Sequence, residues 1–331
     1  MNQRPSGFSL SKAIEGFLNF KLAEGISMGT IVGYRHDLEK FLAHVSDQPV
    51  DRITVETARD FMGWLRTGYI PKRFNGETHP LSPKSLRNFW VVLSSLFAWL
   101  ARDFGYDNVM TKVPAPKIQR APVEPFSREQ IAALLKAAEY SDEAHTTDRR
   151  TFRLRRSTCK RDIAMLMTLL DAGLRANELC SLNVKDLDIK TGRIEVKHGV
   201  KGGAKGGKGR SVYLGKTARR AVWTYLVSRE DQGDDPEAPL FIGKFDRPMT
   251  KGGLLVLIKR LGKRVGVSKC HPHRFRHTFA ITYLRSGGDV FTLQSLLGHA
   301  DLEMVRHYSR IAEIDVAQMH RRASPADNWR L

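Results

Sequence analysis

Apolar residues recur at helical spacing through the first hundred positions of the chain. From Met28 onward, Ile31, Tyr34, Leu38, Phe41, Leu42 and Val45 fall on one face, and Ser27 is placed to cap its start. Ala58, Phe61, Met62 and Leu65 repeat the pattern behind Thr54. Ser82 followed by Pro83 joins a cap to a first-turn proline, and Leu86, Phe89, Trp90, Leu93, Leu96, Phe97 and Leu100 make the widest apolar stripe in the chain. With a first helix over residues 11–23, these segments predict a four-helix domain. Pro114, Pro116, Pro122 and Pro125 then interrupt regular structure in a stretch that also carries Lys112, Lys117 and Arg120, which reads as a linker.

The pattern resumes at Ser127-Arg128-Glu129-Gln130, a capping box that starts a helix with Ile131, Leu134, Leu135 and Ala138 on its buried face. Residues 161–172 read as an apolar helix ended by Gly173. Three short strands are predicted over 187–189, 193–196 and 210–214, the first two joined by Thr191-Gly192. From Thr217 the period is again helical, and the only low-complexity run is the glycine- and lysine-rich stretch 199–209. The prediction is a mainly α chain: a helical N-terminal domain over 8–110, a proline-rich linker over 111–124, and a mostly helical second domain over 125–331 with a small three-stranded antiparallel sheet.

Charge changes this picture from a fold to a function class. The 331 residues carry 54 Lys and Arg against 35 Asp and Glu, a formal net charge of +19. The excess is clustered. Residues 149–161 hold seven basic and no acidic side chains, 196–220 hold eight and none, and 247–288 hold ten and none. Such acid-free tracts predict a surface that neutralises phosphates, with double-stranded nucleic acid the expected partner and an anionic membrane surface its rival. No apolar run resembles a signal peptide or a membrane span, so a reducing cytoplasm is the expected compartment. Cys159, Cys180 and Cys270 form no C-x-x-C pair and read as plain thiols.

Three constellations carry candidate chemistry. Arg175 follows a helix-ending glycine, with Glu178 one helical turn on and within reach if that segment is helical. His271-Pro-His273-Arg274-Phe275-Arg276-His277 packs three imidazoles and two guanidiniums into seven residues, and a helix starting near His273 would place His273 and Arg276 on one exposed face. His273 and His277 have an i, i+4 spacing, but no Glu follows the first as in H-E-x-x-H, so no metal is expected there. Finally, His299 stands at a helix–turn boundary nine residues before Tyr308.

These pieces, GLRANEL around Arg175, the Lys205–Arg210 hairpin, HRFRHTFA from His273 and LLGHADLEMVRHY ending at Tyr308, occur in the order seen in the tyrosine recombinases, and the chain resembles that phage-integrase family. The resemblance implies a SAM-like core-binding domain followed by a catalytic domain of the DNA breaking-rejoining fold. It implies site-specific DNA recombination through a 3′-phosphotyrosyl intermediate. Tyr308 would be the nucleophile, and Arg175 and Arg276 would stabilise the phosphate. A hairpin lysine (Lys205, or Lys201 or Lys208 instead) would act as general acid. His273 would transfer protons, His299 would hydrogen-bond the phosphate, and Glu178 would orient its neighbours. Lys117, Arg120, Lys201, Lys208, Arg210 and Arg274 are the expected DNA contacts.

No cofactor or metal is implied, since one ester replaces another and no nucleotide-binding loop is present. The expected assembly is a homotetramer on two sites, exchanging a C-terminal helix over 311–322, in the nucleoid-associated cytoplasm. Residues 141–160 look like a basic insertion with no role beyond backbone contact. A DNA-binding regulator without the reaction and a type IB topoisomerase are the competing functions.

Overall fold

The computed structural model describes residues 7–71, 73, 76, 78–118, 124–146, 149–197, 209–229, 234–298, 320, 324, 326 and 329. They divide into two units, one ending in the proline-rich stretch and one beginning at Glu124. The first is built from helices α1 (Leu10–Ala23), α2 (Met28–Val45), α3 (Val55–Thr67) and α4 (Pro83–Phe104). Each starts where a hydroxyl accepts an otherwise orphaned N–H: Ser9 from Lys12, Ser27 from Thr30, Thr54 from Thr57 and Ser82 from Ser85, with Pro83 in the first turn of α4.

Leu10, Phe17, Leu38, Phe41, Phe61, Leu65, Leu96 and Phe97 are buried at the centre, each worth about 1.5–3 kcal/mol relative to exposure. The Phe41 and Phe61 rings meet edge to face with centroids 5.0 Å apart. Part of the stretch expected to be a linker belongs to this unit. Val113 is buried in its core, the Trp90 indole N–H donates to the Val113 carbonyl at 2.9 Å, and Arg87 donates to the Pro116 carbonyl at 3.2 Å.

The second unit begins with α5 (Arg128–Glu139), started by the Ser127–Gln130 capping box. A two-stranded antiparallel ribbon follows, β1 (Ala144–Thr146) and β2 (Arg149–Phe152), then α6 (Cys159–Ala172) and the single turn α7 (Ala176–Cys180). Strands β3 (Leu187–Asp188), β4 (Arg193–Val196) and β5 (Arg210–Tyr213) form an antiparallel sheet in that order, followed by α8 (Lys216–Leu226), α9 (Lys251–Arg264), α10 (Pro272–Arg285) and α11 (Val290–Leu297). In the β4–β5 register Ile194 faces Val212 and Val196 faces Arg210. Ile194, Val196 and Val212 are buried while Arg193, Glu195 and Tyr213 are exposed, the alternation a one-sided sheet requires. Helix α6 is the hub: Ala164, Met165, Leu166 and Leu169 are buried, and α5, α8 and α10 pack around it.

The ribbon β1–β2 lies within the segment read only as a basic insertion. Its root is braced by Arg264, which donates to Asp142 Oδ1 at 2.7 Å and to the Ala137 and Tyr140 carbonyls at 2.7 and 2.8 Å. Asp162, fully buried, accepts from Arg156 at 2.7 Å and Arg161 at 2.8 Å and ties the other end of the ribbon to α6. No helix among the described residues is long and apolar enough to cross a membrane.

Candidate active site

Gly173 ends α6 in the left-handed conformation (φ +60°) and turns the chain through the buried Leu174 into Arg175, the N-cap of α7. The turn of helix that follows brings Glu178 back over this cap. Its carboxylate accepts the Arg175 backbone N–H at 2.8 Å on Oε2 and the Arg175 guanidinium at 2.9 Å on Oε1. Arg210, the first residue of β5, closes the same carboxylate from the opposite side as a fork, with Nη1 at 3.0 Å from Oε1 and Nη2 at 2.8 Å from Oε2. Arg276 Nη1 lies 4.0 Å from Oε2. Burial alone would push the Glu178 carboxyl up, but the Arg210 fork and charge, with the Arg175 N–H groups, outweigh it and hold the pKa at about 2.

Arg276 reaches this point from the interior. It is 1% exposed, and its guanidinium donates to the Gly173 carbonyl at 2.8 Å and the Leu297 carbonyl at 2.6 Å, the ends of α6 and α11. A cation between two helix C-termini satisfies carbonyls the helices leave unpaired and opposes their negative dipole ends. Arg210 Nε donates to the neighbouring Leu296 carbonyl at 2.7 Å, so both arginines grip the end of α11, where Gly298 (φ +61°) leads the chain on towards His299. Arg175 is the solvent-facing member, 43% exposed, with its remaining N–H groups uncommitted among the described residues.

Three expectations are corrected by this geometry. His273 and Arg276 do not share an exposed face: His273 is exposed, its ring stacked 5.5 Å from His277, while Arg276 points inward, because α10 starts at Pro272 with the His271 ring as its cap and packs on α6. Arg274 is not a DNA contact. It is 8% exposed, bonds the Glu124, Pro125 and Ser268 carbonyls and Gln130, and lies 4.2 Å over the Phe126 ring. Arg210 is likewise consumed by Glu178 and Leu296 instead of facing a duplex. Within the tract 149–161, Arg153, Arg155, Arg156 and Arg161 pair with Glu143, Glu139, Asp162 and Asp162 from adjoining segments, while Lys160 is exposed.

Uncompensated charge also sits on α9, where Lys251, Lys259, Arg260 and Lys263 are exposed and form no ion pair among the described residues. The acid-free tract 247–288 signalled this face without singling out its members. Lys117 is exposed at the end of the first unit, and Arg120, Lys201, Lys205, Lys208, His299, Tyr308 and the segment 311–322 lie outside the described residues, apart from His320. The three cysteines are free thiols, with burial pushing Cys180 and Cys270 up to about 11.

Comparison with known proteins gives this arrangement its family. The family model described as Phage integrase family matches residues 124–313, more than half of the chain, and that described as Phage integrase, N-terminal SAM-like domain matches 14–104. The chain belongs to the phage integrase family. It is 28% identical to tyrosine recombinase XerD of Listeria monocytogenes over 325 residues, covering 96% of this chain and 99% of the relative. It is 29% identical to tyrosine recombinase XerA of Saccharolobus solfataricus over 311 residues, covering 93% and 91%. Among solved structures the fold is shared with the Tn1549 transposon integrase in complex with a circular intermediate DNA (TM-score 0.68, 19% identity, 89% of this chain and 94% of that one). It is shared as well with a lambda integrase dimer bound to a COC′ core site (TM-score 0.66, 17% identity, 91% and 77%). The fold expected from sequence, mainly helical with one small three-stranded antiparallel sheet, is thus the fold of this integrase family.

Proposed function

We propose that the protein catalyses site-specific DNA recombination, breaking and rejoining strands through a covalent 3′-phosphotyrosyl intermediate. The observation that carries this is the meeting of Arg175 and Arg276, from distant parts of the chain, at one carboxylate beside the end of α11. When the Tyr308 oxygen bonds to phosphorus and the bond to O5′ breaks, negative charge builds on the non-bridging oxygens. Fixed guanidiniums offset it without reorganising. Arg175 binds the phosphate, and Arg276 supplies a fixed charge at the floor of the site.

The phenol must lose its proton, taken up by His273, and the departing 5′ oxygen must gain one, delivered by a hairpin lysine, Lys205. His299 hydrogen-bonds the phosphate, and Glu178 holds Arg175 in place. The ester to Tyr308 conserves the energy of the broken bond, so attack by a 5′-hydroxyl reverses the step and joins the new partner.

Duplex recombination sites are the partner. The unpaired cations of α9, together with Lys117, Arg120, Lys201 and Lys208, contact the phosphate backbone. The division into a core-binding domain over 8–110, a linker over 111–124 and a catalytic domain over 125–331 suits a clasp around the duplex. Four protomers joined by exchange of the 311–322 segment act on two sites, in the nucleoid-associated cytoplasm.

The test is a set of nicked suicide duplexes tiled across the DNA flanking the gene, on which cleavage releases a short strand and traps the adduct. The expected result is a covalent adduct mapped to the Tyr308 peptide; Tyr308→Phe abolishes the adduct and leaves duplex affinity within about twofold. A wild-type protein that binds such a duplex tightly and forms no adduct refutes the proposal.

A further inference from the structure

Val196 and Arg210 are the last of the four β4–β5 cross-strand pairs, and the glycine- and lysine-rich stretch of the sequence runs between them. Arg210 is the first residue of β5, and its side chain turns away from solvent, 10% exposed, with its donors going inward. One goes to each oxygen of Glu178, beside the donors of Arg175, and the third takes the Leu296 carbonyl. The fit on the α11 side is close, since a Cβ on Gly298 would lie 3.0 Å from Arg210 Cδ.

Among the described residues Glu178 is the one acidic group in contact with Arg175, and it is also within 4.0 Å of Arg276. Left to itself, such a carboxylate competes with a phosphate for both guanidiniums. The bidentate fork of Arg210 occupies one lone pair on each oxygen and restores the positive balance, which a point-charge lysine cannot reproduce. The ionised state of Glu178, held at a pKa of about 2, fits this pairing.

The geometry points to Arg210 as a positioning residue for strand cleavage: it orients and neutralises Glu178 so that Arg175 stays presented to the scissile phosphate above the fixed charge of Arg276, and it ties the start of β5 and the end of α11 to the same carboxylate. This rests on the recombinase function proposed above. The residue acts through its neighbours and touches no substrate.

Arg210→Met and Arg210→Lys, made in the full chain, are compared with wild type on the suicide duplex that traps the adduct. Single-turnover cleavage rate, duplex Kd, the dependence of Kd on salt, and the pH profile of cleavage are measured. In R210M the cleavage rate falls about 100-fold or more. The Kd stays within about twofold, and the slope of log Kd against log salt does not change. The acid limb of the pH profile moves upward, because Glu178 without its fork titrates nearer the ordinary carboxylate range.

R210K keeps charge and stem but not the fork, and cleaves about tenfold more slowly than wild type. The assignment is overturned if R210M cleaves within about threefold of wild type, or if its loss lies in affinity with a salt slope lowered by about one, as for a phosphate contact. Should R210M not fold, cleavage by R210K at the wild-type rate overturns it. A wild-type protein that forms no adduct refutes the recombinase reading itself and this assignment with it; an adduct in wild type with unimpaired R210M refutes this assignment alone.

Discussion

Replacing Gly173 by alanine tests the geometry at the floor of the site without relying on the reaction. The residue sits at φ +60°, and a Cβ there would lie 2.3 Å from Phe279 Cδ1, 2.9 Å from Cε1 and 3.0 Å from Cγ. Because the collision involves the root of the ring as well as its edge, a small rotation of Phe279 does not relieve it. The left-handed backbone costs an alanine about 1 kcal/mol, and forcing a methyl against a packed ring costs about 1–3 kcal/mol. The sum, about 3 kcal/mol, lowers the melting temperature of the second unit by about 6–12 °C at the sensitivity expected for a body of this size. Scanning calorimetry on wild type, G173A, F279A and the double variant separates the contributions. Removing the ring in G173A/F279A eliminates the collision and leaves the backbone cost, so the two changes couple by about 2 kcal/mol. A G173A protein melting within about 1 °C of wild type, or an identical loss with and without Phe279, would refute the reasoning.

Two further outcomes follow from the buried charges. Arg274→Ala leaves the Glu124, Pro125 and Ser268 carbonyls without their donor and is expected to cost about 3 kcal/mol in denaturant unfolding while the salt slope of duplex binding stays unchanged; an unaltered stability with a slope lowered by about one would put Arg274 on the DNA instead. For Glu178 the pKa is lowered in the folded state, so the stabilisation of its ionised form is complete at neutral pH and is lost as the pH falls below the ordinary carboxylate range towards about 2. The stability advantage of wild type over Glu178→Gln should therefore narrow by about 3 kcal/mol between pH 6 and 2, and a difference that is flat with pH contradicts the assigned ionisation.

Helix starts were legible because they depend on neighbours in sequence: Ser27, Thr54, Ser82 with Pro83, and Ser127 with Gln130 all cap as their spacing indicates. The three-stranded sheet was legible for the same reason, its turn marked by Thr191-Gly192 and one face by Ile194, Val196 and Val212. The ribbon β1–β2 was not. Its charged residues carry no apolar alternation, and it is held by Arg264 from α9 and by Asp162, partners distant or hidden in sequence. The direction in which each arginine of the site points was also beyond local pattern. Arg274 and Arg276 sit two positions apart on one helix, and what buries them is a set of carbonyls at Glu124, Gly173 and Leu297, each supplied by a different part of the chain. Positive charge in a sequence tract therefore announced cations without distinguishing those spent internally from those left on the α9 surface.

The entry of the chain into the second unit has a mechanical consequence. The Phe126 N–H donates to Thr278 Oγ1 at 2.8 Å, the Phe126 ring meets Phe275 with centroids 4.7 Å apart, and Arg274 clasps the Glu124 and Pro125 carbonyls, so the first residues after the proline-rich stretch are bolted to α10 before α5 begins. A pull on the backbone at Glu124 is therefore delivered to the rod that carries Arg276. A tug on Glu124 is, in effect, a tug on the scaffold of the candidate site.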